Sequence, residues 1–151
     1  MRLLVQRVLE GSVTVDGKIN GAIHKGYVVF LGVEDKDTRE IADKMATKLM
    51  NLRIFEDDNG KTNLSIRDVN GEILLISQFT LYADCHHGNR PSFINAGKPD
   101  MANELYEYMK ETLARECKHV ASGIFGAEMK VSLVNDGPFT IWLDSDEVIR
   151  K

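Results

Sequence analysis

Two stretches of this chain are too apolar to leave either side facing water. Tyr27-Val28-Val29-Phe30-Leu31 lies between Gly26 and Gly32, and Ile73-Leu74-Leu75-Ile76 follows Asn70-Gly71. Short apolar runs bounded by turn formers read as strands buried on both faces, so each belongs inside a sheet. The second continues through Ser77-Gln78-Phe79-Thr80-Leu81, which predicts a central strand from Glu72 to Tyr82. Residues 3–15 alternate in polarity, and Asp16-Gly17 and Asn20-Gly21 supply the positive-φ positions of tight turns. An antiparallel N-terminal meander is the expected result. Arg53–Glu56 and Asn63–Ile66 flank Asp57-Asp58-Asn59-Gly60 as a hairpin, and Met129–Val134 and Phe139–Leu143 flank the turn Asn135-Asp136-Gly137-Pro138.

Two helices interrupt these strands. Asp37 or Thr38 can cap the first, in which Ile41, Met45, Leu49 and Leu52 make one apolar face of the kind that packs on a core. Pro99 and Asp100 open the second, where Leu105, Met109, Leu113 and Cys117 fall four apart. Strands with two inserted helices give an α+β class. At 151 residues the chain is long enough for one domain, residues 1–151, to bury a core without disulfides or structural metal. Its two cysteines, Cys85 and Cys117, are too few for a disulfide framework or a cysteine zinc site. No apolar run reaches membrane-spanning length, and polar residues interrupt the start too early for a signal peptide, so the expected location is the cytoplasm. With 19 Lys+Arg against 23 Asp+Glu the net charge is -4, which argues against a broad nucleic-acid-coating surface but not against a local basic patch.

Four groups of residues could carry chemistry. Cys85-His86-His87 offers a thiol and two imidazoles, but adjacent loop residues seldom converge on one ion, and no metal site is expected there. His86, His87, Arg90 and Lys98, with Phe93 between them, form a compact basic and aromatic loop over residues 84–98, suited to phosphates and bases of a single-stranded nucleic-acid end. Ser77-Gln78-Phe79-Thr80 places polar groups at the end of a buried strand, where they need partners or a cavity. The hydroxyls of 77 and 80 face opposite ways unless the strand bends. Finally, Gly137-Pro138 is either turn punctuation or a cis bond that presents its carbonyls in a fixed direction.

Taken together, Ser77-Gln78-Phe79-Thr80-Leu81, Gly88-Asn89-Arg90-Pro91-Ser92-Phe93 and Asn135-Asp136-Gly137-Pro138-Phe139-Thr140 resemble the D-aminoacyl-tRNA deacylase family. Val5-Gln6-Arg7-Val8 and Ser12-Val13-Thr14-Val15 are similar to its first strand, and the likeness runs in order along nearly the whole chain. The resemblance implies antiparallel-rich β-sheets in a barrel-like core with two inserted helices, assembled as a homodimer. It implies a cofactor-free hydrolase of the ester between a D-amino acid and the 3′ end of tRNA. Ser77, Gln78, Phe79 and Thr80 would form the catalytic wall. Gly137 and Pro138 of the other subunit would reject L substrates, with Arg7 supporting that turn. Glycyl-tRNA, lacking a side chain to clash, would also be cleaved. His86, His87, Arg90 and Lys98 would contact tRNA. The two histidines stand where the family carries basic residues, and histidine is only partly charged at neutral pH. Two rivals remain at this point: a thiol-dependent hydrolase built on Cys85 with His86 or His87, and a dimer that binds RNA ends without cleaving them.

Overall fold

The computed structural model describes residues 1–149. Its main sheet is built on β1 (Arg2–Val15), a 14-residue strand that pairs with three others. Residues 2–8 of β1 run antiparallel to β3 (Gly26–Gly32), and residues 11–15 run antiparallel to β2 (Lys18–Ile23). The N-terminal segment is therefore not a meander: β2 and β3 lie along different halves of one long strand. Beyond β3 the order continues to β6 (Glu72–Ser77) and β7 (Val120–Ser122). Both of those pairings are parallel, whereas the three pairings of β1 are antiparallel, so the sheet is mixed. Crossovers through helices make the difference, because a strand reached by way of a helix returns in the same direction.

The two ends of this sheet approach each other. Asn20 on β2 donates from its side-chain amide to the Ser122 carbonyl of β7 at 2.7 Å. A Cβ at Gly21 would lie 2.9 Å from that same oxygen, so the bare glycine permits the approach. The result is a nearly closed barrel. Successive residues of its strands face opposite sides. Val8, Val13, Val28, Leu74, Ile76 and Ala121 fill the interior. Leu3, Val5, Tyr27, Val29 and Leu75 point outward and are covered by two helices.

The first helix, α1 (Arg39–Asn51), is capped by Thr38, whose hydroxyl accepts from the Ile41 amide at 3.2 Å. Asp37 is occupied elsewhere: its carboxylate accepts from the Met1 ammonium at 2.7 Å and from the Glu34 amide at 2.8 Å. The buried face of α1 is Ala42, Met45, Ala46, Leu49 and Met50, rotated slightly from the expected stripe. The second, α2 (Pro99–Ala114), buries Leu105, Tyr106, Met109 and Leu113. Cys117 lies past its end, half-buried, and burial pushes its thiol up. A short third helix, α3 (Ser145–Val148), was not foreseen and brings the count to three among the described residues. The expected hairpin forms a small separate sheet, β4 (Phe55–Glu56) with β5 (Thr62–Leu64). Asp57 at its turn accepts from the Lys61 and Asn59 amides, bonds that hold its carboxyl below the usual range.

The last strand, β8 (Lys130–Asp144), lies antiparallel to β1 as one strand of 15 residues, not as two strands joined by a turn. Gln6 pairs with Thr140 and Val8 with Asn135, so residues 136–139 have only Arg7 opposite them. They leave the ladder as a bulged loop. Among the described residues no strand pairs with the other edge of β8.

Candidate active site

β6 stops at Ser77, which pairs with Leu31 at the end of β3. Gln78 makes one more backbone bond, donating to the Leu31 carbonyl at 2.8 Å, and then the chain turns. Phe79–Tyr82 form a single 3₁₀ turn in place of the expected continuation of the strand to Tyr82. Gly32 provides the physical reason. A Cβ there would lie 3.0 Å from the Leu81 Cβ and 3.2 Å from the Gln78 carbonyl oxygen, so the turn folds back onto bare backbone. The chain does bend between Ser77 and Thr80. The amides of Phe79 and Thr80 open the turn and have no preceding helical carbonyl to bond. The Gln78 side-chain amide donates to the Thr80 hydroxyl at 2.5 Å.

Ser77, Gln78 and Phe79 form one wall of a cleft of about 680 Å³. Phe93, Lys98, Pro99, Tyr106, Phe125, Met129 and Val131 line it as well. Phe79, 55% exposed, meets Phe93 edge to face with ring centres 5.1 Å apart, which joins the 84–98 loop to the Ser77–Thr80 segment. Tyr106 donates its hydroxyl to the Leu75 carbonyl at 2.7 Å, and burial pushes its phenol up to about 12, so it enters chemistry only as a neutral group. Tyr106, Phe125, Met129 and Val131 were not among the residues singled out from sequence. Met129 and Val131 fall there in an expected strand and Tyr106 within the expected second helix, while Phe125 lies in a stretch given no element, and the fold brings all four to one space.

The remaining expected residues are more dispersed. Thr80 is exposed beside the cleft rather than lining it. Lys98 reaches the cleft, and its amide is held by the Asp35 carboxylate at 3.0 Å. His86, His87 and Arg90 lie on the exposed outer part of the loop, which an Asp84–Ser92 bridge closes. The two imidazoles pack edge to face at 4.5 Å. Cys85 belongs to a different, polar depression with Arg2, Lys36 and Asp146, and among the described residues its thiol has no hydrogen bond to either histidine. No group of three potential metal ligands occurs among the described residues.

Gly137 and Pro138 are exposed at the tip of the bulged loop, joined by a cis peptide bond, and absent from the lining of their own chain's cleft. Arg7 holds the loop's base. Although buried, its guanidinium donates to the Ile54 carbonyl at 2.6 Å, lies 3.1 Å from an Asp136 carboxylate oxygen and stacks 4.4 Å from the Phe139 ring centre. The contact with Asp136 is an ion pair without hydrogen-bond alignment at Nε. Asp136 and Phe139 are the first and last residues of the loop, so one side chain grips both ends.

The family model described as D-Tyr-tRNA(Tyr) deacylase matches residues 4–144. The D-aminoacyl-tRNA deacylase of Bacillus pumilus is 54% identical over 147 residues, which are 97% of this chain and 100% of that protein. That of Thermosipho melanesiensis is 51% identical, covering 98% and 99% of the two chains. Among solved structures, the c-Myc DNA Unwinding Element Binding Protein superposes with a TM-score of 0.90 at 41% identity, over 95% of this chain and 98% of its own. A probable eukaryotic D-amino acid tRNA deacylase superposes with a TM-score of 0.82 over 94% and 97%, but at 17% identity that likeness concerns the fold alone. With the family model spanning both the Ser77–Thr80 turn and the Gly137–Pro138 loop, and with relatives more than half identical end to end, this chain belongs to the D-Tyr-tRNA(Tyr) deacylase family.

Proposed function

We propose that this protein, a single domain over residues 1–151, hydrolyses the ester joining a D-amino acid to the 3′-terminal ribose of tRNA, in the cytoplasm and without a cofactor. The observation that carries the reading is the turn after Ser77: the amides of Phe79 and Thr80 that open it have no backbone acceptor among the described residues, and they follow directly on Ser77 and Gln78, which line the cleft. An aminoacyl ester is already activated and needs no full triad. Water adds to its carbonyl carbon, the amides of Phe79 and Thr80 stabilise the oxyanion, and the acyl C–O bond breaks as the ribose oxygen takes a proton. Each such donor contributes on the order of 10² to 10³ in rate. The neighbouring ribose hydroxyl of the substrate assists the attack.

Thr80 is not the nucleophile in this scheme. Its hydroxyl accepts from Gln78, and a carboxamide cannot remove the proton that an attacking alcohol must lose. Thr80→Val is therefore expected to keep turnover within about tenfold of wild type, whereas loss of a true nucleophile costs about 10⁴-fold or more. Single-turnover hydrolysis of a D-aminoacyl-tRNA distinguishes the two, and a loss on the larger scale would make Thr80 the attacking group.

The working unit is a homodimer in which Gly137 and Pro138 enter the partner's cleft. Their exposure, their absence from their own cleft and the edge of β8, unpaired among the described residues, support this, as do exposed Leu9, Val134 and Trp142 on β1 and β8. The carbonyls of Gly137 and Pro138 receive the substrate's α-ammonium and occupy the space where an L side chain would project. D side chains point outward, so their identity matters little, and glycine passes as well. His86, His87, Arg90 and Lys98 contact phosphates of the tRNA end.

The test is hydrolysis of matched D-aminoacyl-, L-aminoacyl- and glycyl-tRNA by the purified protein, alongside its mass in solution. Cleavage of the D and glycyl esters with the L ester spared, at a mass near twice 17.0 kDa, is expected. Equal cleavage of D and L esters would remove the chirality filter, and protection of all three would leave an RNA-end binder.

A further inference from the structure

We propose that Gln6 is a positioning residue for D-over-L discrimination, acting through a side-chain network that ties together the two ends of the 136–139 loop. The inference rests on the reading of that loop as the chirality filter. Asn135 and Thr140 are the last residues of β8 to pair with β1 on either side of the bulge, so they form its neck. The side-chain amide of Gln6 donates to Asn135 Oδ1 at 2.8 Å and to Thr140 Oγ1 at 3.3 Å. Thr140 in turn donates to Asn135 Oδ1 at 2.9 Å. Two contacts thus join the ends of the loop to the strand beneath it, and the third joins those ends to each other. Asn135 Oδ1 receives two donors, and both Gln6 donor contacts come from the one nitrogen.

Gln6 and Arg7 are consecutive in β1, so their side chains leave on opposite faces. Arg7 grips Asp136 and Phe139 from the buried side by charge and stacking. Gln6 closes the neck from the opposite face, through hydrogen bonds that are exposed in the single chain and there add little to its folding stability. Direction is what such a network can set. Rejection of an L side chain depends on a steric clash with atoms at the loop tip, four residues of backbone whose exit angle is fixed at Asn135 and Thr140. A small opening of the neck moves the tip and relieves the clash, while a D substrate, whose side chain points away, is less affected.

Gln6→Met keeps the length of the side chain and removes its donors. It is expected to raise hydrolysis of L-aminoacyl-tRNA relative to D-aminoacyl-tRNA about tenfold, with D turnover and melting temperature close to wild type. Thr140→Val, which removes the shared hydroxyl, should raise the same ratio. The double variant should exceed neither single one by much, because both act on one network. Gln6→Glu offers acceptors to a turned Asn135 amide and should restore most of the discrimination. The wild-type arm separates the two readings: if wild type itself cleaves both esters equally, the chirality filter has failed. If wild type discriminates and both Gln6→Met and Thr140→Val leave the L-to-D ratio unchanged, the neck has no positioning role. Equal loss of D and L turnover together with a lowered melting temperature would make the network structural only, and would likewise overturn the proposal.

Discussion

Arg7→Ala is expected to lower the melting temperature by about 5–15 °C and to weaken D-over-L discrimination in the same protein. The stability loss has three sources. The Ile54 carbonyl, which Arg7 satisfies at 2.6 Å, is left without its donor. The space among Phe55, Phe139 and the rest of the buried surroundings empties. The Asp136 carboxylate loses its counter-charge. An unsatisfied buried acceptor costs about 1–3 kcal/mol and a partly collapsed cavity adds to it, so about 2–4 kcal/mol is expected overall. For a chain of this length each kcal/mol moves the midpoint by about 2–4 °C. Arg7→Lys should recover little, since an ammonium cannot bond the Ile54 carbonyl, pair with Asp136 and stack flat on Phe139 at once. Thermal unfolding of the two variants tests the packing role, and the D-to-L ratio tests the hold on the loop. An Arg7→Ala protein that melts within 2 °C of wild type, as about half a kcal/mol would give, would show that the guanidinium is not a structural clamp.

Gly26→Ala is expected to cost more than about 4 kcal/mol, placing it among the rare severe single substitutions. A Cβ at residue 26 would lie 1.8 Å from the Glu72 carbonyl oxygen and 2.6 Å from the Glu72 nitrogen, and both are backbone atoms that no rotamer change can move. Gly26 is where the parallel ladder between β3 and β6 begins, paired with Glu72. The Glu72 amide donates to the Lys25 carbonyl at 3.0 Å, and its carboxylate accepts from the His24 amide at 2.7 Å. Relief of the clash requires β6 to move away from β3, which breaks these bonds and opens the barrel where Val28 and Leu74 meet. Gly17→Ala is the control: its φ is +77°, but nothing lies within 4 Å of the added carbon, so a cost of about 1–2 kcal/mol is expected from backbone conformation alone. Urea unfolding of both proteins decides the matter. Similar midpoints for the two would mean that the β3–β6 contact yields more easily than its geometry indicates.

Much of the fold was legible because the signals are local. Thr38 as a helix cap, Pro99 at a helix start and the apolar faces around Met45, Leu49, Leu105 and Met109 follow from periodicities that hold within one or two turns of chain. The strand at Gly26–Gly32, buried on both sides, follows from its unbroken apolar run. What failed depended on partners distant in sequence. The end of β6 at Ser77 is set by Gly32, whose missing side chain admits the 3₁₀ turn; the polar Ser77, Gln78 and Thr80 raise the question of a bend without fixing where the strand stops. The continuity of β8 across residues 135–140 is set by β1, which pairs with both flanks and lets the loop protrude opposite one residue. Direction of pairing is likewise invisible locally, since β6 and β7 run parallel to their neighbours only because connections return them that way.

The candidate site divides along the same line. Sequence alone determined the residue types: Ser77 to Thr80 at a strand end, the basic and aromatic 84–98 loop, Gly137-Pro138 in a turn, and Arg7 near the start of the first strand. Order and spacing of these motifs, read together, sufficed to indicate a family. Tertiary structure decided their relations. It turned Phe79 against Phe93, brought Tyr106 and Met129 to the lining of one cleft, and set the buried Arg7 guanidinium between Ile54, Asp136 and Phe139. It also kept Gly137 and Pro138 away from the cleft of their own chain. The physical reason is that periodicity reports which face of an element is buried, whereas a site is made where several elements meet. That meeting is set by packing volume and long-range backbone pairing, and neither is written in any short window of sequence.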